Sequence, residues 1–216
     1  MEHAAADEVH SKKKSLIAAE QTRPDVAAAR EAFFSATLKD VRVGDIVVLD
    51  ESFATTTFTR ARGRCAKGKR LKARVPQGHW KRLTLLAAIG VAGVLTASVI
   101  DASTDADVFR TFVAHALVPA LTPGKVVIMD NLSSHKVAGV RELIEGAGCR
   151  LIYLPPYSPD FSPIEKIFAK VKQLLRAAEA RDVPGLLEAI HQALSNVTAD
   201  ECQACFAACG YTLQME

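Results

Sequence analysis

The stretch Leu154–Lys172, LPPYSPDFSPIEKIFAKVK, passes from a strand end through a proline-rich turn into a helix. Proline fixes φ and disfavours helix in the residue before it. Pro155, Pro156, Pro159 and Pro163 therefore make a stiff connector, and a stiff connector can aim the first turn of a helix. Pro163 suits the first helical position and Ser162 the N-cap. Glu165 then stands one turn into the helix. Two readings of Glu165 are open. Ser162-Pro163-Ile164-Glu165 has the form of a capping box, in which Glu165 serves the Ser162 amide. Alternatively, Glu165 is a catalytic group, which requires other carboxylates to converge on it.

Two upstream acids meet that requirement in pattern. Ile46–Leu49 and Val126–Met129 are short, β-branched apolar runs, the mark of strands buried on both faces. The first ends in Asp50-Glu51 and the second in Asp130-Asn131. Between them, 83–89 and 94–100 read as two further strands joined by the turn 90–93, making an antiparallel meander with the first. A helix comes next, capped by Ser103 or Thr104. Its stripe is Val108, Phe109, Phe112, Val113, Ala116 and Leu117. Ser133 or Ser134 caps a helix running to Glu145, and 150–154 is a fifth strand. Helices over 163–180, 183–195 and 198–210 complete the chain, the last two capped by Asp182 and by a Thr198–Glu201 capping box. Upstream, 24–38 reads as a helix with Val26, Ala29, Phe33 and Ala36 on one face.

This order implies a mixed α/β chain. It resembles the ribonuclease H-like fold, a five-stranded mixed sheet flanked by helices, here with extra C-terminal helices. That resemblance implies that the first and fourth strands are central neighbours. Asp50 and Asp130 then end side by side, and the long helix brings Glu165 over them.

The whole chain has 216 residues, 49% of them hydrophobic, enough for a sizeable core. Its net charge is only +3, but the charge is unevenly spread. No acid occurs between Glu51 and Asp101, while Arg60, Arg62, Arg64, Lys67, Lys69, Arg70, Lys72, Arg74, Lys81 and Arg82 do. A single-sign run of this kind, read as a long hairpin or loop, points to a polyanion such as nucleic acid. Its plainer reading is a solvated loop. Trp80 within it is expected to anchor the loop to the core. The five cysteines form no paired framework, and Cys202, Cys205 and Cys209 recur at helical spacing with Phe206 as a buried face. With no signal peptide and no long apolar run, the expected setting is cytoplasmic, without a membrane.

Three converging carboxylates repel one another, so their charged form needs cations between them. Hard oxygen donors suit Mg²⁺ or Mn²⁺, and two such ions can clamp an in-line phosphoryl displacement. The expected chemistry is phosphodiester cleavage or transfer on nucleic acid.

Three motifs make the likeness specific: Val48-Leu49-Asp50-Glu51-Ser52, Val126–Asn131 with His135-Lys136, and Leu154–Glu165. Glu165 stands 165 − 130 = 35 positions after Asp130. Together they resemble DDE transposases of the mariner superfamily, in the bacterial insertion-sequence (IS six-thirty) branch. The resemblance implies Asp50, Asp130 and Glu165 as catalytic residues and metal ligands holding two Mg²⁺ or Mn²⁺ ions. It implies DNA cleavage at transposon ends and strand transfer into a TA target, hence transposition, recombination and integration of DNA. Arg64, Lys67, Lys69, Arg70, Lys72, Arg74, His79, Lys81, His135 and Lys136 are the expected DNA contacts. It also implies a homodimer, and a helix-turn-helix N-terminal part that can be separately encoded.

Residues 1–42 are expected as a tail and linker helix, and 43–216 as the ribonuclease H-like DDE catalytic domain. Ser162 stands where the family usually has Asn, and Phe53 is expected to alter entry to the site. Asp160 reads as a turn residue. Rival readings are a ribonuclease H-like nuclease or resolvase, or an inactive DNA-binding remnant.

Overall fold

The computed structural model describes residues 18–131 and 138–212. Its elements in chain order are helix α1 (Pro24–Ala32), strands β1 (Ile46–Thr55), β2 (Arg82–Gly90) and β3 (Gly93–Ile100), helix α2 (Ala106–Phe112), strand β4 (Val126–Met129), helix α3 (Val140–Gly146), strand β5 (Arg150–Tyr153), and helices α4 (Pro163–Ala178), α5 (Val183–Ser195) and α6 (Ala199–Ala208). Helices α1 and α2 each run on into a π-helical turn, Phe33–Thr37 and Val113–Leu117.

The five strands form one sheet in the order β3-β2-β1-β4-β5. β1 pairs antiparallel with β2, and β2 with β3; β1 and β4 are parallel, as are β4 and β5. The two strands expected at the centre are therefore neighbours. Side chains alternate across a strand, so β1 serves two cores. Ile46 and Val48 join Ile128, Ile152 and the apolar stripe of α4, namely Ile164, Ile167, Phe168, Val171 and Leu175. Val47 and Leu49 join Val127, Met129 and Leu151 under Phe109, Phe112, Val113 and Leu117 of the α2 stretch and Val140 and Ile144 of α3. Burial on both sides is why β1 and β4 read as unbroken apolar runs. Each fully buried Ile or Phe contributes about 1.5–3 kcal/mol, so this stripe is what holds α4 in place.

Several boundaries differ from expectation, each for a local reason. β1 does not stop at Leu49 but continues to Thr55, because β2 pairs with it through Thr55↔Arg82. Helix α2 is capped by Asp105, whose carboxylate accepts from the Val108 amide at 2.9 Å, and not by Ser103 or Thr104. Helix α3 begins at Val140 after Gly139, whose φ of 89° suits glycine. Ser133 and Ser134 lie outside the described residues. On α1, Val26 and Phe33 are buried as expected, but Ala29 and Ala36 are exposed. The caps of α5 and α6 are as read: Asp182 accepts from the Gly185 amide at 2.7 Å, and Thr198 and Glu201 form the capping box. Helix α6 is fastened to α4 by Lys170, which donates to Glu201 and to the Asn196 carbonyl, each at 2.6 Å. Cys202 and Cys209 are buried and Cys205 partly so, all unpaired; burial pushes the Cys202 and Cys209 thiols up to about 11.

Candidate catalytic cleft

The parallel pairing of β1 and β4 sets the site. Val48 lies opposite Ile128. Asp50 and Asp130 each stand two positions later, on the α4 side by the strand alternation. There β4 has ended while β1 continues against β2 alone, so the two acids stand where the sheet opens. Asp50 Oδ1 also accepts from the Glu51 amide at 2.7 Å.

The third acid comes from the proline turn. Pro159–Phe161 forms a single 3₁₀ turn, and α4 starts at Pro163 behind Ser162. Ser162 sits at the N-cap in extended conformation but makes no side-chain capping bond. Its amide donates instead to the Pro159 carbonyl at 3.1 Å. The capping-box reading of Glu165 is thereby set aside: the amide it would serve is already taken. Glu165 is exposed and borders the same cavity as the two aspartates.

That cavity, ≈ 550 Å³, is lined by Asp50, Asp130, Asn131, Glu165 and the segment Leu154–Pro159 with Ser162. Three carboxylates from three separate elements thus border one cleft. Its floor is the strand ends; its wall is the proline turn. Tyr157 on that wall has φ 55°, a left-handed backbone uncommon outside glycine, and its ring is half exposed.

The charged donors of the cleft are carboxylate oxygens, with no thiol or imidazole among the lining residues. In kind they fit Mg²⁺ or Mn²⁺. In distance, no three His, Cys, Asp or Glu side chains among the described residues stand close enough to clasp one ion.

The basic segment between β1 and β2 is a loop without regular structure, and Arg64, Lys67, Lys69, Arg70, Lys72, Arg74, His79 and Lys81 are all exposed on it. It is tied down at its base, where the Thr56 amide donates to the Lys81 carbonyl at 3.1 Å and Arg181 donates to the Phe58 carbonyl at 2.8 Å. Trp80, expected as a core anchor, is instead 52% exposed. It borders a shallow groove with Phe53, Phe58 and Pro76. Phe53 does not line the acid cleft, so the expected effect on entry is not seen. His135 and Lys136 lie outside the described residues.

Lys172, whose charge Glu165 and Asp50 influence, is a cation that was not singled out in the sequence. Arg82 and Lys172 lie over the Phe53 ring at 4.4 and 4.6 Å, and Arg176 over the Phe58 ring at 5.1 Å. Burial lowers the Lys172 ammonium below the ordinary lysine range, while Glu165 and Asp50 pull it back up. The signal for it was spacing: Lys172 stands seven positions after Glu165, about two helical turns, which puts both on one face. A second missed contact is Arg30 on Asp160, which the sequence offers only as a turn residue.

A mixed five-stranded sheet with three acids at its opening defines a nuclease-like class, and the chain belongs to the DDE superfamily endonuclease family, whose profile matches residues 45–186. That span takes in all three acids. Among solved structures, the chain is similar to the Mos1 strand transfer complex, at 17% identity and TM-score 0.73 over 95% of this chain and 68% of that one. It is similar to the Mos1 mariner paired end complex with Mn, at 16% identity and TM-score 0.71 over 97% and 68%. The catalytic domain of Mos1 mariner transposase matches at 15% identity and TM-score 0.67, over 94% of this chain and 100% of that one. These likenesses establish the ribonuclease H-like fold. No curated protein matches the chain.

Proposed function

We propose that this chain is a transposase catalytic domain that cleaves DNA at transposon ends and transfers the freed strand to a target. The observation that carries the reading is the cleft shared by Asp50, Asp130 and Glu165, in a chain whose exposed basic loop follows the same strand as Asp50. Mos1 complexes similar in fold include one with Mn and one with Mg, and one is a strand transfer complex. In our reading Asp50, Asp130 and Glu165 are the catalytic residues and would draw together around two divalent ions on binding them, since among the described residues they do not stand close enough to clasp one beforehand. Bound there, Mg²⁺ or Mn²⁺ supplies positive charge at the scissile phosphate and makes the attacking hydroxyl a better nucleophile. The acids hold and place that charge. The basic loop, through Arg64, Lys67, Lys69, Arg70, Lys72, Arg74, His79 and Lys81, holds the phosphate backbone beside it. Two copies acting together would pair two DNA ends. We also assign the chain to the bacterial insertion-sequence branch, on the Leu154–Glu165 motif and the 35-position spacing. Among the described residues no helix is long and apolar enough to cross a membrane.

The test is nicking of supercoiled plasmid in Mn²⁺, together with joining of a labelled duplex oligonucleotide to that plasmid. Wild type is expected to do both. Asp130→Asn is expected to lose both by about three orders of magnitude, the scale of several kcal/mol of charge stabilisation. Undiminished nicking by Asp130→Asn would sink the reading. Cleavage of RNA–DNA hybrids or four-way junctions without strand joining would favour the nuclease or resolvase instead.

A further inference from the structure

The wall of the cleft is gripped from outside by α1. Arg30 Nη1 donates to Ser158 Oγ at 2.8 Å and to Asp160 Oδ1 at 3.0 Å, and Nη2 donates to Asp160 Oδ2 at 2.6 Å. Nη1 also reaches the Tyr157 carbonyl at 3.5 Å. The guanidinium lies 4.2 Å over the Phe161 ring. Just upstream of α1, Gln21 donates to the same Tyr157 carbonyl at 2.7 Å. Every one of these contacts falls on residues 157–161, and Tyr157 and Ser158 also line the cleft.

Two features separate this from an ordinary surface staple. The Arg30 side chain is only 18% exposed, and its planar fork engages both Asp160 oxygens while touching Ser158, a geometry lysine cannot copy. Moreover, the backbone it steadies is unusual. A non-glycine residue at φ 55° persists only where its surroundings over-determine it. At Tyr157 those surroundings include Gln21 and Arg30. The turn ends at Ser162, immediately before the helix that carries Glu165, so its shape sets where α4 begins.

We infer that Arg30 is a positioning residue for the carboxylate cleft: it locks the Tyr157–Phe161 turn to α1, and so ties the wall of the cleft to the segment preceding the sheet. This rests on the reading of the cleft as the site of strand cleavage. A pull on the residues around Gln21 and α1 then reaches the cleft wall through this contact.

The full chain tests it with two readouts. The first is amide exchange at Phe161 and Ser162, whose amides donate to the Ser158 and Pro159 carbonyls. In Arg30→Ala exchange there is expected to rise about tenfold as the turn opens locally, with the middle of α4 unchanged. The second is plasmid nicking in Mn²⁺. Arg30→Ala is expected to lower kcat about tenfold at unchanged KM and unchanged active fraction, the result of misplacement and not of unfolding. Arg30→Lys is expected to recover part of the rate. Asp160→Asn approaches the same contact from its other end with an isosteric side chain, and is expected to match Arg30→Ala.

Unchanged exchange in both Arg30→Ala and Asp160→Asn would overturn the inference. So would a loosened turn with an unchanged kcat. A fall in active fraction at constant kcat would make Arg30 a stability residue only and overturn it too. If wild type does not nick DNA at all, the reading of the cleft fails, and Arg30's role in catalysis fails with it; the exchange measurement then reports only its hold on the turn.

Discussion

The amide of Ser162 donates to the carbonyl of Pro159 at 3.1 Å, and this bond releases Glu165 from any capping duty. Glu165 is exposed on the first turn of α4, at the edge of the cleft it shares with Asp50 and Asp130. Its loss should therefore separate function from stability. Glu165→Ala is expected to shift unfolding free energy by no more than about 0.5 kcal/mol, as for surface changes that touch no cap or core. Metal-dependent nicking should nonetheless collapse. Urea titration and the plasmid assay, run on one preparation, check both halves. A large stability loss would restore the capping-box role.

DNA affinity should track the charge of the loop between β1 and β2. Lys69 and Arg70 are exposed there, on a loop with no regular structure. The double change Lys69→Ala with Arg70→Ala is expected to weaken duplex binding uniformly across sequences. It should also flatten the plot of log K against log salt by about two units, near one for each phosphate no longer neutralised. Fluorescence anisotropy with a labelled duplex at several salt concentrations reads both. An unchanged slope would make the loop a solvated excursion.

The Arg30–Asp160 pair should be visible as a dependence of stability on pH. The Arg30 hydrogen bond, the largest effect, holds the Asp160 carboxyl below its ordinary value of 3.8; burial opposes it, and the Arg30 charge adds a smaller push in the same downward direction. A carboxyl depressed in the folded state adds stability that is complete above its unfolded value. That stability is lost as pH falls through the folded value. The wild type should accordingly exceed Asp160→Asn in stability at neutral pH, and the gap should close only below about pH 4. Because Asp160 is half exposed, the gap should stay under about 1 kcal/mol. Thermal melts of the two proteins between about pH 3 and 7 measure it.

Thiol chemistry should sort the cysteines by burial. Cys65 is exposed on the basic loop. Cys202 and Cys209 are buried, with their thiols pushed up to about 11 by desolvation first, and so are poorly nucleophilic at neutral pH. Iodoacetamide is expected to label Cys65 within minutes and the two buried thiols only in denaturant, as read by peptide mass spectrometry. Fast native labelling of Cys202 would mean that α6 opens away from α4.

The five strands, the mixed type of sheet and the position of three acids after apolar runs or at a helix start were all legible in the chain. Val126–Met129 could scarcely be anything but a doubly buried strand, and the prolines before Glu165 could only stiffen its approach. Other features were not legible, because they depend on partners distant in sequence. The continuation of β1 past Asp50 comes from pairing with β2, which no local pattern records. The choice of Asp105 over Ser103 as cap is a contest among neighbours that the backbone path decides. The exposure of Trp80 comes from the course of a loop whose sequence has no periodicity.

What the sequence alone determined is the set of local commitments: apolar runs that must be buried on both sides, a rigid turn, and acids at the ends of those apolar runs. Those arise from periodicity and from the covalent limits of proline, which act within a few residues. Only the tertiary structure decided that Glu165 borders the cleft of the aspartates and does not serve its own cap. It also decided that Arg30, Asp160 and Tyr157 meet at all. Contacts across more than a hundred residues are selected by packing of the whole core, and no short-range preference encodes them.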